Sequence, residues 1–369
     1  MEKVYKVSGS KNEIQALEFI MGWINYCAKI GHYGIAEIHI DAYKRSVDLC
    51  EVVAVCDKNE ELGRKFAKEY RIARVYADAD EMMACDDIEL IDICLPNFLH
   101  SEMTIKAFEA AKNVICEKPL ATTLEDGKKM LEAAAKASKY LYYAEDWLFA
   151  PAVVRAREII NQGGIGKPLY IKAKEVHNGS HSPFAKKFKF CGGGSMIHLG
   201  VHPVGFLLAL KGGVKEIIGM TTGGGDQNFV HRDFEGEDWA VALIKFDDDT
   251  TALVEANYIT TGGMQSQIEI YGEDGLLNID LTMSSPIKAY SRPGFDYAVE
   301  KADTTRGWTR PAVDERYMLG YIGEIRHFLE CIHRNVPAMK GLRGEDGYMT
   351  LQVIFDIYRS AREGVSIKY

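Results

Sequence analysis

No two cysteines of this chain form a C-x-x-C pair; its eight cysteines (Cys27, Cys50, Cys56, Cys85, Cys94, Cys116, Cys191 and Cys331) are scattered singly. That argues against a zinc knuckle or a disulfide frame and reads as reduced, mostly buried thiols in a cytoplasmic protein. Basic charge is also in short supply. Against 53 Asp and Glu stand 44 Lys and Arg, a formal net charge of −9, the wrong sign for a nucleic-acid groove or an anionic membrane surface. No apolar run approaches the length of a bilayer span. The stretch Leu17–Cys27 has only a superficial likeness to a secretory signal, because Glu18 and Asn25 interrupt it and no small-residue cleavage site follows. Residues 1–20 read as an extension ahead of the fold, either a frayed tail or an arm laid on a neighbouring subunit or a cofactor.

What is present suits a two-domain enzyme. The chain has 369 residues, 47% hydrophobic and 26% charged, enough for two cores. In the first half, strand-like runs alternate with helix-like segments, the rhythm of a parallel sheet. A weak first strand is expected at 24–30, a helix at 35–45, a strand at 50–56 and a helix at 60–70. Strands at 89–95, 114–116 and 140–144 then alternate with helices at 101–111 and 124–138. The turn Gly31-His32-Tyr33-Gly34-Ile35-Ala36 approximates a dinucleotide fingerprint. Gly31 permits the tight turn and Ala36 the close helix–strand contact. Tyr33 stands where the second glycine belongs, so either the phosphate pose is displaced or Gly34 compensates. Gly31, Tyr33, Gly34 and Ile35 are the expected contacts. Asp57 closes the second strand where a ribose-binding acid belongs and would repel a 2′-phosphate, so NAD is expected, while Lys58 leaves NADP open. A plain helix cap is the simpler reading of Asp57. After the strand at 89–95, Pro96, Asn97 and His100 lie where ligands meet open α/β sheets; a turn and a helix start explain them as well.

Two further stretches carry chemistry. Cys116-Glu117-Lys118-Pro119-Leu120 fixes a lysine at the end of an apolar run, beside Glu117. Gly192-Gly193-Gly194-Ser195-Met196-Ile197-His198-Leu199-Gly200-Val201-His202 sets two imidazoles four residues apart. An ammonium and imidazoles are equipment for taking a proton from a hydroxyl. Beside a dinucleotide fold they point to alcohol oxidation.

With these residues the chain resembles the Gfo/Idh/MocA oxidoreductases, the group of glucose–fructose oxidoreductase and inositol dehydrogenases. The likeness runs from Met21 to the C-terminus. It takes in Gly34-Ile35-Ala36-Glu37-Ile38-His39, Leu95-Pro96-Asn97 with His100, Glu117-Lys118-Pro119, Gly163-Gly164-Ile165-Gly166, the Gly192–His202 stretch, Ile270–Gly275 and Ser360–Gly364. It implies an N-terminal Rossmann domain (21–147), after the extension at 1–20, and a C-terminal α+β domain (148–369) on a large, mostly antiparallel sheet whose outer face pairs subunits. Strands expected at 169–176, 214–222, 239–246, 251–258 and 265–271 agree, and helices near 324–334 and 347–362 read as surface helices with one apolar face.

By the resemblance Lys118 is the catalytic lysine, with Glu117 and Lys118 also near the cofactor, and His202 is the general base. His198 departs from the pattern, since most relatives carry an aspartate there; it is expected to touch substrate and change proton handling. Glu175 and His177 share a strand face, and with His181 they suit sugar hydroxyls. By chemistry they also suit a divalent metal, but the spacing does not diagnose one and none is expected. Asp146 and Trp147 fall near the nicotinamide edge, Trp147 as a stacking surface for substrate or as core. Lys186, Lys187 and Lys189 read as a solvated loop. The expected activity is hydride transfer between NAD(P) and a secondary hydroxyl of a sugar, cyclitol or glycoside, including glucoside C3, in a homo-oligomer. The alternatives are a glycosidase or lyase that oxidises C3 transiently, and a nucleotide sensor without catalysis, which retention of Lys118 and His202 disfavours.

Overall fold

A computed structural model of the chain describes residues 14–21, 34–180, 182–281, 289–293, 304, 306–309 and 314–369. Six parallel strands, β1 (Ile14–Met21), β2 (Cys50–Asp57), β3 (Arg74–Tyr76), β4 (Leu90–Cys94), β5 (Asn113–Cys116) and β6 (Leu141–Tyr143), lie in the order β3-β2-β1-β4-β5-β6. This is the doubly wound dinucleotide order, with its switch point beside β1. Crossover helices α1 (Ile35–Lys44), α2 (Glu60–Tyr70), α3 (Ala79–Met83), α4 (His100–Glu109) and α5 (Leu124–Ala137) join the strands. Local chemistry sets their starts. Asn59 accepts from the backbone N–H groups of Glu61 and Leu62 at the head of α2, and Thr123 from that of Asp126 at the head of α5, caps worth about 1 kcal/mol each.

The first strand corrects the sequence reading. β1 falls inside the segment 1–20 set aside as an extension, and it pairs with both β2 and β4. Glu18 was read as interrupting an apolar run; the ladder with β4 runs unbroken from Leu17 to Met21, while that with β2 shifts register at Leu17/Glu18. Residues 24–30, Gly31, Tyr33 and His181 lie outside the described residues.

From α6 (Pro151–Asn161) the chain enters the second domain. Its strands are β7 (Pro168–Val176), β8 (Val214–Thr221), β9 (Trp239–Phe246), β10 (Thr251–Asn257), β11 (Gln265–Gly272) and β12 (Leu276–Asp280). A short pair, β13 (Ala289–Ser291) with β14 (Gly307–Thr309), stands apart, and β15 (Ile367–Lys368) closes the main sheet. The seven-stranded order is β12-β11-β7-β10-β9-β8-β15, antiparallel throughout except β7 with β10. Along β9 and β11, alternate residues (Ala240, Ala242, Ile244, Phe246; Ile268, Ile270) are buried. The opposite face leaves Ile218, Met220 and Leu243 exposed.

Short helices α7 (Phe188–Cys191) and α8 (Ser195–His198) lead into α9 (Val201–Lys211); α10 (Glu315–Leu319), α11 (Tyr321–Arg334) and α12 (Gly344–Glu363) complete the chain. α12 is no surface helix. Leu351, Val353, Ile354 and Ile357 are buried, and the helix packs on β8 and α9 while also touching α5 and β6 of the first domain. It comes so close to β8 that a Cβ on Gly219 would stand 2.5 Å from the Ile357 carbonyl oxygen. This clamp holds the second domain against α5 and β6. No single described helix is long and apolar enough to cross a membrane.

Candidate active site

The end of β5 delivers Lys118. Val114, Ile115 and Cys116 are fully buried, so the strand is anchored and its terminus is fixed. The Lys118–Pro119 bond is cis. Glu117 is buried: its carboxylate accepts from the Lys118 backbone N–H (3.0 Å) and lies 3.0 Å from His39 Nε2. The other ring nitrogen of His39 is 2.7 Å from Asp92 Oδ2, which also accepts from the Tyr43 hydroxyl at 2.7 Å. Burial works against charge on His39, but Cys94 and Asp92 outweigh it and hold the imidazole well above its ordinary value. A buried cation between two carboxylates thus pins the Glu-Lys-Pro loop from behind. In front, the Lys118 ammonium reaches the His198 carbonyl oxygen at 3.5 Å.

The glycine-rich stretch is held by an acid absent from the sequence reading. Glu237 accepts the backbone N–H groups of Gly194 (2.9 Å) and Met196 (2.7 Å) and the Tyr358 hydroxyl (3.0 Å). A Cβ on Gly194 would sit 1.9 Å from the Glu237 carbonyl oxygen, so no other residue fits there. The two histidines therefore stand on separate helices, α8 and α9, with different tasks. His198 has both ring nitrogens engaged: Nδ1 with the Tyr258 hydroxyl at 2.7 Å, Nε2 with Asn97 Nδ2 at 3.0 Å. Asn97 Nδ2 also donates to the Cys191 carbonyl (3.1 Å), which makes Nε2 the acceptor and Nδ1 the protonated nitrogen. Burial and the Lys118 charge push His198 down to about 4. His198, expected to touch substrate and change proton handling, thus holds its ring between Asn97 of the first domain and Tyr258 of the second.

His202, 3% exposed, lies flat against Trp147, ring centroids 5.6 Å apart at 11°. Its Nδ1 is 2.8 Å from Glu145 Oε1 and 3.3 Å from Asp146 Oδ1, and its Nε2 is 3.9 Å from Glu175 Oε2. Burial, then Lys118, lowers the imidazole. Burial also pushes Glu145 up to about 8 and Asp146 up to about 7, and raises Glu175. Trp147 itself is 1% exposed, a backing for the imidazole rather than an open stacking surface. His177 is buried with its ring 5.5 Å from that of Tyr258. His202, Glu145, Asp146 and Glu175 thus form one buried cluster, and the half-buried Lys118 ammonium acts on all four.

On the nucleotide side, Asp57 is fully buried. Its Oδ1 accepts the Asn59 N–H at 2.7 Å, while Oδ2 has no hydrogen-bond partner among the described residues. Ile35 opens α1, Gly34 precedes it at φ +70°, and Lys58 is exposed. His100 is fully buried. Its ring is sealed between the carbonyl oxygens of Pro119 and Leu95, each at 2.8 Å, tying the ends of β4 and β5 together. Pro96 and Asn97 lie half-buried between those ends and the Cys191 carbonyl.

Residues 26–145 match the family described as oxidoreductase family, NAD-binding Rossmann fold, and residues 153–278 match the GFO/IDH/MocA C-terminal domain. The chain belongs to the Gfo/Idh/MocA oxidoreductases. Among curated relatives, the D-apiose dehydrogenase of Paraburkholderia graminis is 26% identical, the aligned part covering 92% of this chain and 88% of that one. The D-glucoside 3-dehydrogenase of Escherichia coli is 33% identical across 47% of this chain and 50% of that one. Among solved structures, GenD2 from gentamicin A biosynthesis, in complex with NAD, superposes with a TM-score of 0.85 at 21% identity, covering 98% of both chains. As a Gfo/Idh/MocA member this protein is an NAD-dependent oxidoreductase.

The residues fit that cofactor. An unpartnered buried carboxylate oxygen costs on the order of 1–3 kcal/mol, and Asp57, pushed up to about 6 by burial, has such an oxygen where a ribose hydroxyl would donate. Asp57→Ala should therefore raise KM for NAD by about tenfold and narrow the discrimination against NADP, as measured by the ratio of kcat/KM values for the two dinucleotides. An unchanged ratio would remove Asp57 from cofactor choice. Glu145, Asp146 and His202 place donor atoms within 4.8 Å of one another, as do His39, Asp92 and Cys94. In the first set the Lys118 ammonium already offsets the carboxylate charge, which suits protons better than a metal cation.

Sequence reasoning missed Glu145, Tyr258 and Glu237. Glu145 carried a signal, an acid pair directly beyond a strand end in a dinucleotide fold. Tyr258 and Glu237 carried none, since their partners lie 60 and 41–43 residues away.

Proposed function

We propose that this protein oxidises a secondary hydroxyl of a sugar, cyclitol or glycoside, reversibly, with NAD. The observation that carries the reading is the grouping of the Lys118 ammonium and the His202 imidazole with three buried carboxyl groups, Glu145, Asp146 and Glu175. His202 Nε2 takes the hydroxyl proton, with Nδ1–H donated to Glu145. Lys118 hydrogen-bonds the same oxygen and stabilises its developing negative charge, more strongly in a buried site than in water. Asp146 and Glu175 accept hydrogen bonds from neighbouring hydroxyls, which favours polyols over simple alcohols. When bound, the nicotinamide accepts the hydride. Glucoside C3 is a position this reading includes, and a relative named for that activity supports it.

The test is a panel of glucosides, cyclitols and free sugars incubated with NAD, following reduced cofactor and product together. One reduced cofactor per product is expected. A second reading, transient C3 oxidation followed by elimination, is favoured by Glu175: its carboxyl group stands 3.9 Å from His202 Nε2 with its proton affinity raised by burial, an extra base beside the first. In that case the glycosidic bond breaks with no net change in cofactor. No reaction with any member of the panel would count against both.

The same reading makes the protein a cytoplasmic homo-oligomer. Ile218, Met220 and Leu243 on the open sheet face (48%, 63% and 44% exposed) give two copies an apolar surface to share.

A further inference from the structure

Oxidation of a secondary alcohol breaks an O–H bond as well as a C–H bond, and leaves one proton for each hydride given up. His202 receives that proton at a position 3% exposed to solvent, so the proton needs a way out. Glu145, the hydrogen-bond partner of His202, and two further groups are buried with atoms that have no hydrogen-bond partner among the described residues: Glu145 Oε2, the Tyr143 hydroxyl and both oxygens of Glu324. Glu324 is fully buried in the first turn of α11, a helix that packs on α1 and on the turn Asp146–Phe149. The groups that act on it are Asp146, Glu117, Glu145 and His39, with Tyr143 on β6 and Tyr321 on its own helix. Only Tyr321 among these last neighbours on α11 and β6 is half-buried, its ring 6.2 Å from that of His39.

A carboxyl group with no partner, surrounded by other carboxylates, is costly if ionised and cheap if it carries a proton. We infer that Glu324 is a proton carrier behind the His202–Glu145 pair, exchanging the reaction's proton with the outside past Tyr321. The inference rests on the oxidoreductase chemistry proposed above. In alcohol oxidation the proton arriving on Nε2 drives Nδ1–H onto Glu145 Oε1. Glu145 and Glu324 share no direct hydrogen bond, so the proton crosses from Glu145 Oε2 to Glu324 through a bridging water, and Glu324 passes its own on. Reduction of a ketone runs the same transfers backwards. Burial and the surrounding negative charge hold Glu324 well above the ordinary carboxylate value, in keeping with a neutral carrier at rest. It touches no substrate and is a positioning residue for protons.

The experiment uses Glu324→Gln, which keeps size and shape, in the full chain, with thermal melts as the folding control. Infrared difference spectra of wild type against variant need no substrate. They should show one protonated-carboxyl carbonyl band at neutral pH, missing in the variant and shifting promptly on transfer to D2O. No such band, or a band that fails to shift, overturns the carrier. With whichever panel sugar reduces NAD, Glu324→Gln should slow cofactor reduction by about tenfold, enlarge the solvent isotope effect and leave KM unchanged. A wild-type rate and isotope effect in the variant overturn the carrier as well. If wild type reduces NAD with no sugar, the proposed function fails, and the infrared exchange still decides for or against a solvent-connected acid at 324.

Discussion

Lys118→Ala is expected to lower kcat/KM by on the order of a thousandfold, about 4 kcal/mol of transition-state stabilisation, while NAD still binds. The size follows from position. Glu117, backed by His39, fixes the Lys118 backbone, and the ammonium reaches the His198 carbonyl, so it meets the reacting oxygen with little reorganisation. It is also the cation that counters Glu145, Asp146 and Glu175 and lowers His198 and His202. Its loss therefore shifts the pH dependence too, moving the acid limb of the rate to higher pH as the cluster binds protons more tightly. Lys118→Arg should not rescue the rate, since a planar fork does not fill the place of a compact ammonium. Steady-state rates across pH, with cofactor binding followed by fluorescence, check both parts. A variant with wild-type turnover removes Lys118 from the mechanism.

His202→Ala should cost about 10²–10⁴ in kcat for alcohol oxidation. The pH profile carries the finer prediction. For Nε2 to act as a base, Nδ1 must hold the proton and Glu145 must be ionised. Burial favours the neutral forms of both groups, so the competent form accumulates as pH rises through the value that Glu145 shows, about 8. Oxidation should thus speed up from neutral to mildly alkaline pH, with an apparent constant belonging to the pair. His202→Ala flattens that limb. Glu145→Gln, which can still hydrogen-bond Nδ1, should shift the limb toward lower pH as one titrating group is lost. A limb unaltered in both variants would assign it to some other group.

The first domain was legible from the sequence because its helices and strands carry their own local signals. The helix expected at 60–70 begins on the Asn59 cap and appears as α2, and the runs at 50–56 and 114–116 are buried parallel strands whose apolar character needs no context. β1 was misplaced because its sequence, with Glu18 inside, is as compatible with a tail as with a strand, and only pairing with β2 and β4 decides. At the candidate site, motif and spacing singled out Lys118 and His202. What spacing could not supply was orientation. His198 and His202, four residues apart, look like a matched pair on one helix, yet the break at Leu199–Gly200 sends one ring to Tyr258 and Asn97 and the other to Glu145. The two carbonyl partners of His100 likewise become visible only once β4 and β5 lie side by side. Those contacts are tertiary, so the chemistry was legible and its wiring was not.

The most direct measurement follows one atom. The protein is incubated with NAD and a methyl glucoside carrying deuterium at C3, and both cofactor and sugar are examined by mass spectrometry and NMR. The account predicts deuterium on the reduced nicotinamide ring, a 3-keto product, and neither in Lys118→Ala. A 3-keto product formed while the label stays out of the cofactor would contradict direct hydride transfer at the Lys118–His202 site.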